Sequence, residues 1–346
     1  MNPTSSPPLP APPGLAADRD VQLLRRAGEI ADDLRGQVER RIVGQQHIVD
    51  GIVTAMMANG HVLLVGVPGL AKTLIISTLA DALHLKFQRI QFTPDLMPTD
   101  ITGTEVIQED RVTGERVFRF VRGPIFANIV LADEINRTPP KTQAALLEAM
   151  QEREVTAAGT TYPLAPPFFV LATQNPIEHE GTYPLPEAQL DRFMFDLRIG
   201  YPGRDQEERI ATLTREVQDV PVEPVVHGRE IIELQQLVRR IPVTPSIVRF
   251  AVRLARSTRP GGAEQAGVAK RYISWGSGPR ASQYLVLGAK ARAAFRGAPM
   301  PAMDDVLDIA PAILAHRIVV NFDAEAEGLS TRDVVRELLA ESRKWT

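Results

Sequence analysis

A glycine-bearing turn followed by Lys and Thr is the stretch of this 346-residue sequence whose residue types most clearly serve chemistry. The apolar run 61–65 before it predicts a buried strand, and the segment 74–80 after it predicts a helix. A strand, a glycine-bearing turn and a helix in this order are typical of a phosphate-binding loop. The candidate nucleotide-binding residues are Gly66, Val67, Pro68, Gly69, Leu70, Ala71, Lys72, Thr73 and Leu74.

Each part of this loop has a physical role in holding a nucleotide. Gly66 and Gly69 can turn successive N–H groups inward, and a helix that begins near Lys72 directs the positive end of its dipole into the same cavity. Lys72 would supply a charge for the β- and γ-phosphates, and the Thr73 hydroxyl a ligand for Mg²⁺. The strict pattern has glycine in place of Ala71, and we expect Ala71 in the first helical turn, which tolerates alanine. The alternative is a strand-to-helix turn with a chance Lys-Thr pair.

Two adjacent carboxylates, Asp133 and Glu134, follow the apolar run 128–132. The carboxyl ends of strands are where α/β sheets place ligand-binding groups. Beside a phosphate loop, this arrangement predicts that Asp133 holds Mg²⁺, directly or through water, and that Glu134 polarises the attacking water as general base. The alternative is a solvated strand end without function.

Two more candidate parts of the nucleotide site lie in short segments between predicted elements. Asn175 follows the apolar run 168–173, where a neutral amide can hydrogen-bond the attacking water or the γ-phosphate. As an isolated residue before proline, Asn175 would be only a turn former. Val43 and Gly44 interrupt two helical patterns just before the nucleotide strand. They could wrap an adenine ring or form a plain turn between two helices, and both interpretations remain open.

The rest of the chain supplies the elements that must position these residues. Residues 1–18 are rich in proline, and we expect a disordered tail. Residues 19–200 alternate predicted strands and helices, which indicates an α/β nucleotide-binding core with a parallel sheet. Turn signals predict two hairpins inserted into this core, at about 103–122 and 154–164. Residues 201–346 show helical patterns only, so we expect a separate all-α domain.

Composition excludes several classes of function. A net charge of −3 gives no global attraction to nucleic acid or to an anionic membrane. The absence of cysteine excludes disulfides, thiolate metal sites and cysteine nucleophiles, and the six histidines show no metal-ligand spacing. No apolar run approaches the roughly 18 residues that cross a bilayer, and the N-terminus lacks the pattern of a secretion signal. We therefore expect a cytoplasmic protein with no membrane insertion.

Several longer runs of sequence resemble the MoxR family of AAA+ ATPases. They are residues 91–100, 131–137, 172–176 and 185–193, and the resemblance covers about residues 20–330. It implies an AAA+ P-loop core followed by an all-α lid domain, with ATP and Mg²⁺ as cofactors. It also implies a chaperone that hydrolyses ATP and works as a homo-oligomeric ring, usually hexameric. Such a chaperone would assist the assembly, maturation or metal insertion of protein substrates, often with a von Willebrand factor A domain partner.

The same resemblance assigns roles residue by residue. Lys72 and Thr73 resemble the Walker A residues, Asp133 and Glu134 the Walker B residues, and Asn175 the sensor 1 residue. Arg192 resembles the arginine finger, which reaches the nucleotide of the adjacent subunit, a role that suits the bidentate guanidinium. Arg280 resembles sensor 2, although Gly278 stands where family members often have serine. The two hairpins resemble insertions that are shared with metal chelatases and minichromosome-maintenance proteins.

Three alternative functions follow from the same features. The chain could be the ATPase subunit of a metal chelatase, which shares the architecture, or a scaffold that binds a nucleotide without hydrolysing it. The presence of both Asp133 and Glu134 disfavours the scaffold. A nucleic-acid motor is also disfavoured, because residues 155–163 carry no charge and the first hairpin mixes Glu109, Asp110 and Glu115 with its arginines.

Overall fold

The computed structural model describes residues 18–109, 116–157, 159–177, 181–212 and 220–345. Most of the expected proline-rich tail lies outside the described residues. Its last residue, Asp18, begins the first helix.

The described chain forms short strands, most of them four to seven residues long, and helices of very different lengths. The strands are β1 (Val62–Val65), β2 (Phe87–Gln91), β3 (Gly103–Glu109), β4 (Arg116–Arg122), β5 (Ile129–Asp133), β6 (Glu154–Ala157), β7 (Thr160–Pro163), β8 (Phe169–Gln174), β9 (Phe195–Arg198), β10 (Ile273–Trp275) and β11 (Val319–Val320). The helices are α1 (Asp18–Glu39), α2 (Gln46–Met57), α3 (Lys72–Ala82), α4 (Pro98–Thr102), α5 (Pro140–Glu152), α6 (Glu187–Leu190), α7 (Arg204–Thr212), α8 (Gly228–Arg240), α9 (Pro245–Ser257), α10 (Gly267–Tyr272), α11 (Pro279–Phe295), α12 (Met303–Leu314), α13 (Phe322–Ala326) and α14 (Thr331–Ser342).

Five strands form one parallel sheet in the order β2-β5-β8-β1-β9. Because all five run the same way, their carboxyl ends share one side of the sheet, called here the carboxyl edge, and their starts share the amino edge. Val65 pairs with Gln174 on one side and with Arg198 on the other, which fixes the ends of β1, β8 and β9 at one level. The predicted α/β core with a parallel sheet is confirmed.

The two faces of this sheet enter two different apolar clusters. Along β1, Val62 and Leu64 enter a large cluster with α1, α2, α3 and the C-terminal helices, whereas Leu63 enters a smaller cluster with α5. This alternation is the period of two expected for a strand covered on both faces. The large cluster continues from the sheet into α8–α14, so the expected boundary between residues 200 and 201 separates elements that share one core. That boundary stays a prediction.

Two antiparallel hairpins project from the core, as predicted. In the first, β3 pairs with β4 from Gly103 opposite Arg122 to Glu109 opposite Arg116, and in the second β6 pairs with β7. Phe120 of the first hairpin stacks on Tyr162 of the second with ring centroids 4.3 Å apart. The two insertions therefore contact each other.

The C-terminal region is helical, as expected, and it contains one element that the sequence does not predict. β10 and β11 form a two-stranded antiparallel ribbon of three and two residues, which is too short to produce a recognisable alternation. A capping box opens α14, since Ser330 N–H donates to Asp333 Oδ2 and the Ser330 hydroxyl accepts from Asp333 N–H. In the described part of the chain, no helix is long and apolar enough to cross a membrane.

His61, just before β1, is a buried histidine with a structural role. Its Nδ1 accepts the N–H of Val170 at 3.0 Å, and Nε2 lies 3.2 Å from the carbonyl of Met150. Burial lowers the pKa of the His61 imidazole from its ordinary 6.5 to about 4. The ring is therefore neutral at pH 7, with Nε2–H as the donor to Met150.

This histidine predicts a specific loss of stability in acid. Below pH 6.5 the unfolded chain binds a proton at His61 that the folded chain does not bind, so the free energy of unfolding falls until the pH reaches the folded-state pKa of about 4. His61→Asn keeps an acceptor for Val170 and should reduce the loss between pH 7 and pH 4.5 by about 2–3 kcal/mol. Urea unfolding at the two pH values measures this.

The exposed His47 provides a matched control, because His47→Asn should leave the difference between the two pH values unchanged. Equal acid sensitivity of His61→Asn and the unmodified chain would contradict the structural role of His61.

Candidate nucleotide-binding site

The phosphate loop, the two carboxylates and Asn175 meet at the carboxyl edge of the sheet. Gly66 follows β1 and donates its N–H to the carbonyl of Gln174 at 3.1 Å, which ties the loop to the end of β8. Asp133 ends β5, the strand on the other side of β8, and Asn175 directly follows β8. Three neighbouring strands therefore deliver the predicted residues to one place.

The loop itself presents an open turn at the start of α3. Gly69 has a φ of 83°, and a Cβ added there would meet nothing within 4 Å. No side chain caps the N-terminus of α3, so its first N–H groups remain suited to an anion. The Lys72 ammonium lies over the turn, where it donates to the Gly66 carbonyl at 2.6 Å. This arrangement fits a polyphosphate.

The expected position of Ala71 in the first turn of the helix is wrong. Ala71 is the residue before α3, with φ 55° and ψ 23°, which is the left-handed region that favours glycine. The glycine of the strict pattern therefore has a conformational reason, and the alanine here carries backbone strain of about 1–2 kcal/mol. The loop still closes, so the chain is a strained variant of the pattern.

Asp133 is almost fully hydrogen-bonded within the chain. Its Oδ1 accepts the Thr173 hydroxyl at 2.6 Å, and its Oδ2 accepts Arg89 Nε at 3.0 Å and Arg89 Nη2 at 2.6 Å. A carboxylate offers about four lone-pair sites, so about one remains. A metal ion that keeps most of its water shell, as Mg²⁺ does, fits this carboxylate through a water molecule.

Glu134 lies in an unusual backbone conformation beside polar partners. Its φ of 58° and ψ of 48° are left-handed, although it is not glycine. Its Oε2 accepts Gln91 Nε2 at 3.0 Å and Arg137 Nη1 at 3.2 Å. Strained backbone of this kind concentrates at functional sites. The carboxylate is held at the edge of the sheet by donors from β2 and from the following turn.

Asn175 is buried, and its amide has a defined orientation. Its Oδ1 accepts the N–H of Ile177 at 3.2 Å, which commits the oxygen to the chain. The Nδ2 donor is then the end that could meet a phosphate oxygen or a water molecule. This is the chemistry expected of the neutral amide at that position.

The turn that contains Val43 and Gly44 lies beside the phosphate loop. Gln45, which follows it, donates to the Gly200 carbonyl at 3.0 Å, and a Cβ added to Gly66 would lie 3.1 Å from the carbonyl of Ile199. Residues 199–200, which follow β9, thus contact both the end of this turn and the phosphate loop. The turn therefore connects α1 and α2 and lies near the phosphate loop.

Arg192 lies at the amino edge of the sheet, opposite the carboxyl edge that holds the phosphate loop. It comes just before β9, and Met194 N–H donates to the His61 carbonyl at 2.7 Å, ahead of β1. The four residues of β1, about 13 Å at 3.3 Å each, separate this amino edge from the phosphate loop. Arg192 Nη1 donates to the Leu147 carbonyl of α5 at 2.5 Å. The structure therefore does not bring Arg192 to the phosphate loop of its own chain.

Arg280 is held at the same amino edge. Its Nη1 donates to Asp191 Oδ2 at 3.0 Å, while the buried Arg317 donates from Nε to Asp191 Oδ1 at 2.8 Å. Arg317 also donates to the backbone carbonyls of Asp191 and Phe193. Asp191, the residue next to Arg192, thus binds Arg280 in the first turn of α11 and Arg317 in the segment that follows α12. The two arginines of the resemblance, Arg192 and Arg280, lie together and away from Lys72.

Sequence reasoning gave no role to four residues that hold this arrangement. Thr173 and Arg89 bind Asp133, and Asp191 and Arg317 join the C-terminal helices to the start of β9. Thr173 and Asp191 lie inside the runs 172–176 and 185–193 that carry the resemblance. Their position in those runs was the available signal.

The fold and the comparisons define the class of protein. Residues 61–195 match the ATPase family associated with various cellular activities (AAA), and residues 265–338 match the AAA lid domain. The first match contains the phosphate loop, the two carboxylates, Asn175 and Arg192, and the second contains Arg280. The chain is an AAA ATPase with a helical lid.

Proteins that are similar to this chain over most of its length identify the family within the AAA ATPases. The chain is 42% identical to Chaperone MoxR1 of Mycobacterium tuberculosis, covering 97% of this chain and 86% of the relative. It is 43% identical to the uncharacterized protein YeaC of Bacillus subtilis, with coverage of 88% and 91%. A crystal structure of a Cytophaga hutchinsonii protein has a TM-score of 0.81 at 39% identity, covering 94% of this chain and 96% of that one. The chain belongs to the MoxR family of AAA+ ATPases.

Ala71 gives a direct test of the loop geometry. Ala71→Gly should raise the free energy of unfolding by about 0.5–1 kcal/mol, because relief of the left-handed strain exceeds the added freedom of the unfolded chain. Ala144→Gly, at an exposed position inside α5, should lower it by about 1 kcal/mol. Urea unfolding of both variants measures the difference, and an equal loss in both would contradict the left-handed conformation of Ala71.

Proposed function

We propose that this chain is an ATP-hydrolysing AAA+ chaperone of MoxR type that acts as a ring-shaped homo-oligomer, with six subunits as in the family. The observation that carries the proposal is the convergence of the Lys72 loop, Asp133, Glu134 and Asn175 on the carboxyl edge of one sheet. This edge combines an anion cradle with two carboxylates and an amide, the groups that phosphoryl transfer to water requires.

Each residue of one subunit has a defined task in this proposal. The loop N–H groups and Lys72 bind the β- and γ-phosphates. Thr73 and Asp133 would hold Mg²⁺, which supplies charge neutralisation at the phosphates. Glu134 accepts a hydrogen bond from the water that attacks the γ-phosphorus, and Asn175 donates to that water or to a γ-phosphate oxygen. Val43 and Gly44 border the adenine.

The positions of Arg192 and Arg280 support an oligomer. Both guanidinium groups lie by the amino edge, where Arg192 donates to the Leu147 carbonyl and Arg280 to the Asp191 carboxylate. The length of β1 separates them from the phosphate loop of the same chain. A neighbouring subunit whose phosphate loop faced this edge would receive both arginines. We therefore assign Arg192, and with it Arg280, to the nucleotide of the adjacent subunit.

The proposed partners come from the family. MoxR1, at 42% identity, carries the name chaperone, and this supports protein substrates for the present chain. A von Willebrand factor A domain protein is the proposed second partner. The two hairpins, which stack through Phe120 and Tyr162, stand out from the core as the surface for such contacts.

Glu134→Gln tests the hydrolysis mechanism. The amide keeps the size of the side chain but cannot act as base, so ATP hydrolysis should fall by about 10²–10⁴-fold. ATP affinity should stay within about threefold, because the loop and Lys72 are unchanged. Phosphate release and equilibrium binding of a fluorescent ATP analogue measure the two quantities.

The control is Glu337→Gln on the exposed face of α14, which should leave both quantities unchanged. Hydrolysis by Glu134→Gln at the rate of the unmodified protein would refute the assignment of the site.

A further inference from the structure

The hydroxyl of Thr173 connects the two carboxylate residues of the site. Its Oγ1 accepts the backbone N–H of Glu134 at 2.8 Å and donates to Asp133 Oδ1 at 2.6 Å. The backbone N–H and the ionised carboxylate can play only one role each, so the direction of both hydrogen bonds is fixed. Thr173 is 0% exposed, and bulk water does not reach it to compete for these bonds.

The backbone of Glu134 depends on such support. Its left-handed φ of 58° is disfavoured for a residue with a Cβ atom, and a conformation of this kind persists only where the surroundings hold it. The φ and ψ angles also set the direction in which the Glu134 side chain leaves the backbone. The hydroxyl that holds the Glu134 N–H therefore acts on the direction of the carboxylate.

Burial of the Thr173 side chain does not by itself explain the two hydrogen bonds of its hydroxyl. Thr78 of α3 is also 0% exposed, and its hydroxyl has no hydrogen-bond partner among the described residues. A threonine is thus accommodated in the same core without any polar contact. Thr173 differs from it in that both of its hydrogen bonds end on residues of the site.

We propose that Thr173 is a positioning residue for ATP hydrolysis, an inference that rests on the proposed function. Its single hydroxyl fixes the carboxylate of Asp133 and the backbone of Glu134 relative to each other. The group that supports the metal ion and the group that polarises the water then keep one mutual geometry. Misplacement of a reacting group by about 1 Å can cost about 10²-fold in rate, so such a bond has a large effect on hydrolysis.

Three variants of the full chain separate this role from packing. Thr173→Val keeps the shape of the side chain and removes the hydroxyl, Thr173→Ser keeps the hydroxyl and removes the methyl group, and Thr78→Val is the matched control. We expect Thr173→Val to lower kcat by about 10–100-fold with KM within about threefold. Thr173→Ser should retain kcat within about threefold, and Thr78→Val should equal the unmodified protein.

Binding and unfolding measurements complete the test. The dissociation constant of a fluorescent ATP analogue should change by less than about threefold in Thr173→Val, since the phosphate loop is intact. Tm should fall in Thr173→Val, because the Glu134 N–H loses its acceptor, and it should be maintained in Thr78→Val. If Thr173→Val does not fold, Thr173→Ala takes its place against Thr173→Ser, and the same expectations hold.

Two results would overturn the inference. One is a kcat of Thr173→Val equal to that of the unmodified protein, and the other is an equal loss of kcat in Thr173→Ser, which would assign the effect to the methyl group. With Glu134→Gln inactive in the same assay, either result leaves the proposed function intact. Normal hydrolysis by Glu134→Gln would overturn both the proposed function and this inference.

Discussion

The parallel direction of the five central strands is the constraint on which the rest of the structure depends. It collects the ends of β1, β5 and β8 at one edge of the sheet and the start of β9 at the other. The four residues of β1 separate the two edges by about 13 Å. The chain therefore carries an anion cradle with Asp133 and Glu134 on one side and a pair of arginines, Arg192 and Arg280, on the opposite side. This distribution supports the proposal that another copy of the chain completes each site.

The C-terminal helices are attached to this sheet by apolar packing and by one polar junction. The apolar cluster that begins on β1 continues through α8–α14. Movement of the lid against the core would therefore expose apolar surface to water, which is unfavourable. At the amino edge, Asp191 receives Arg317 and Arg280 from the lid. The residue next to it in the chain is Arg192. Asp191 thus joins the lid directly to the segment of the core that carries Arg192.

The sequence predicts those parts of the site that are contiguous along the chain. The phosphate loop, the pair Asp133–Glu134 and the amide of Asn175 each follow an apolar run, and the parallel sheet then brings them together. Partners across strands could not be predicted in this way. Arg89 and Thr173 meet Asp133 only because β2, β5 and β8 are adjacent, and strand order is not written in local patterns.

Local backbone geometry was also beyond the sequence patterns. The left-handed conformation of Ala71 depends on how the loop closes over Gly66, and helix propensity alone suggested an ordinary first turn. The ribbon of β10 and β11 is formed by three and two residues, respectively, whose pairing is entirely non-local. In both cases tertiary context decides the conformation: Ala71 is held against its own backbone preference, and β10 and β11 are too short to show a preference of their own.

Mixing of two inactive variants tests most directly whether the site is shared between subunits. Arg192→Ala retains the loop and Glu134, while Glu134→Gln retains Arg192 and nucleotide binding. In a mixed oligomer, an Arg192→Ala subunit can receive Arg192 from a Glu134→Gln neighbour and form a complete site. We predict that ATP hydrolysis appears on mixing and is greatest near equal amounts of the two variants. Absence of hydrolysis at every ratio, with mixed oligomers shown to form, would contradict the account.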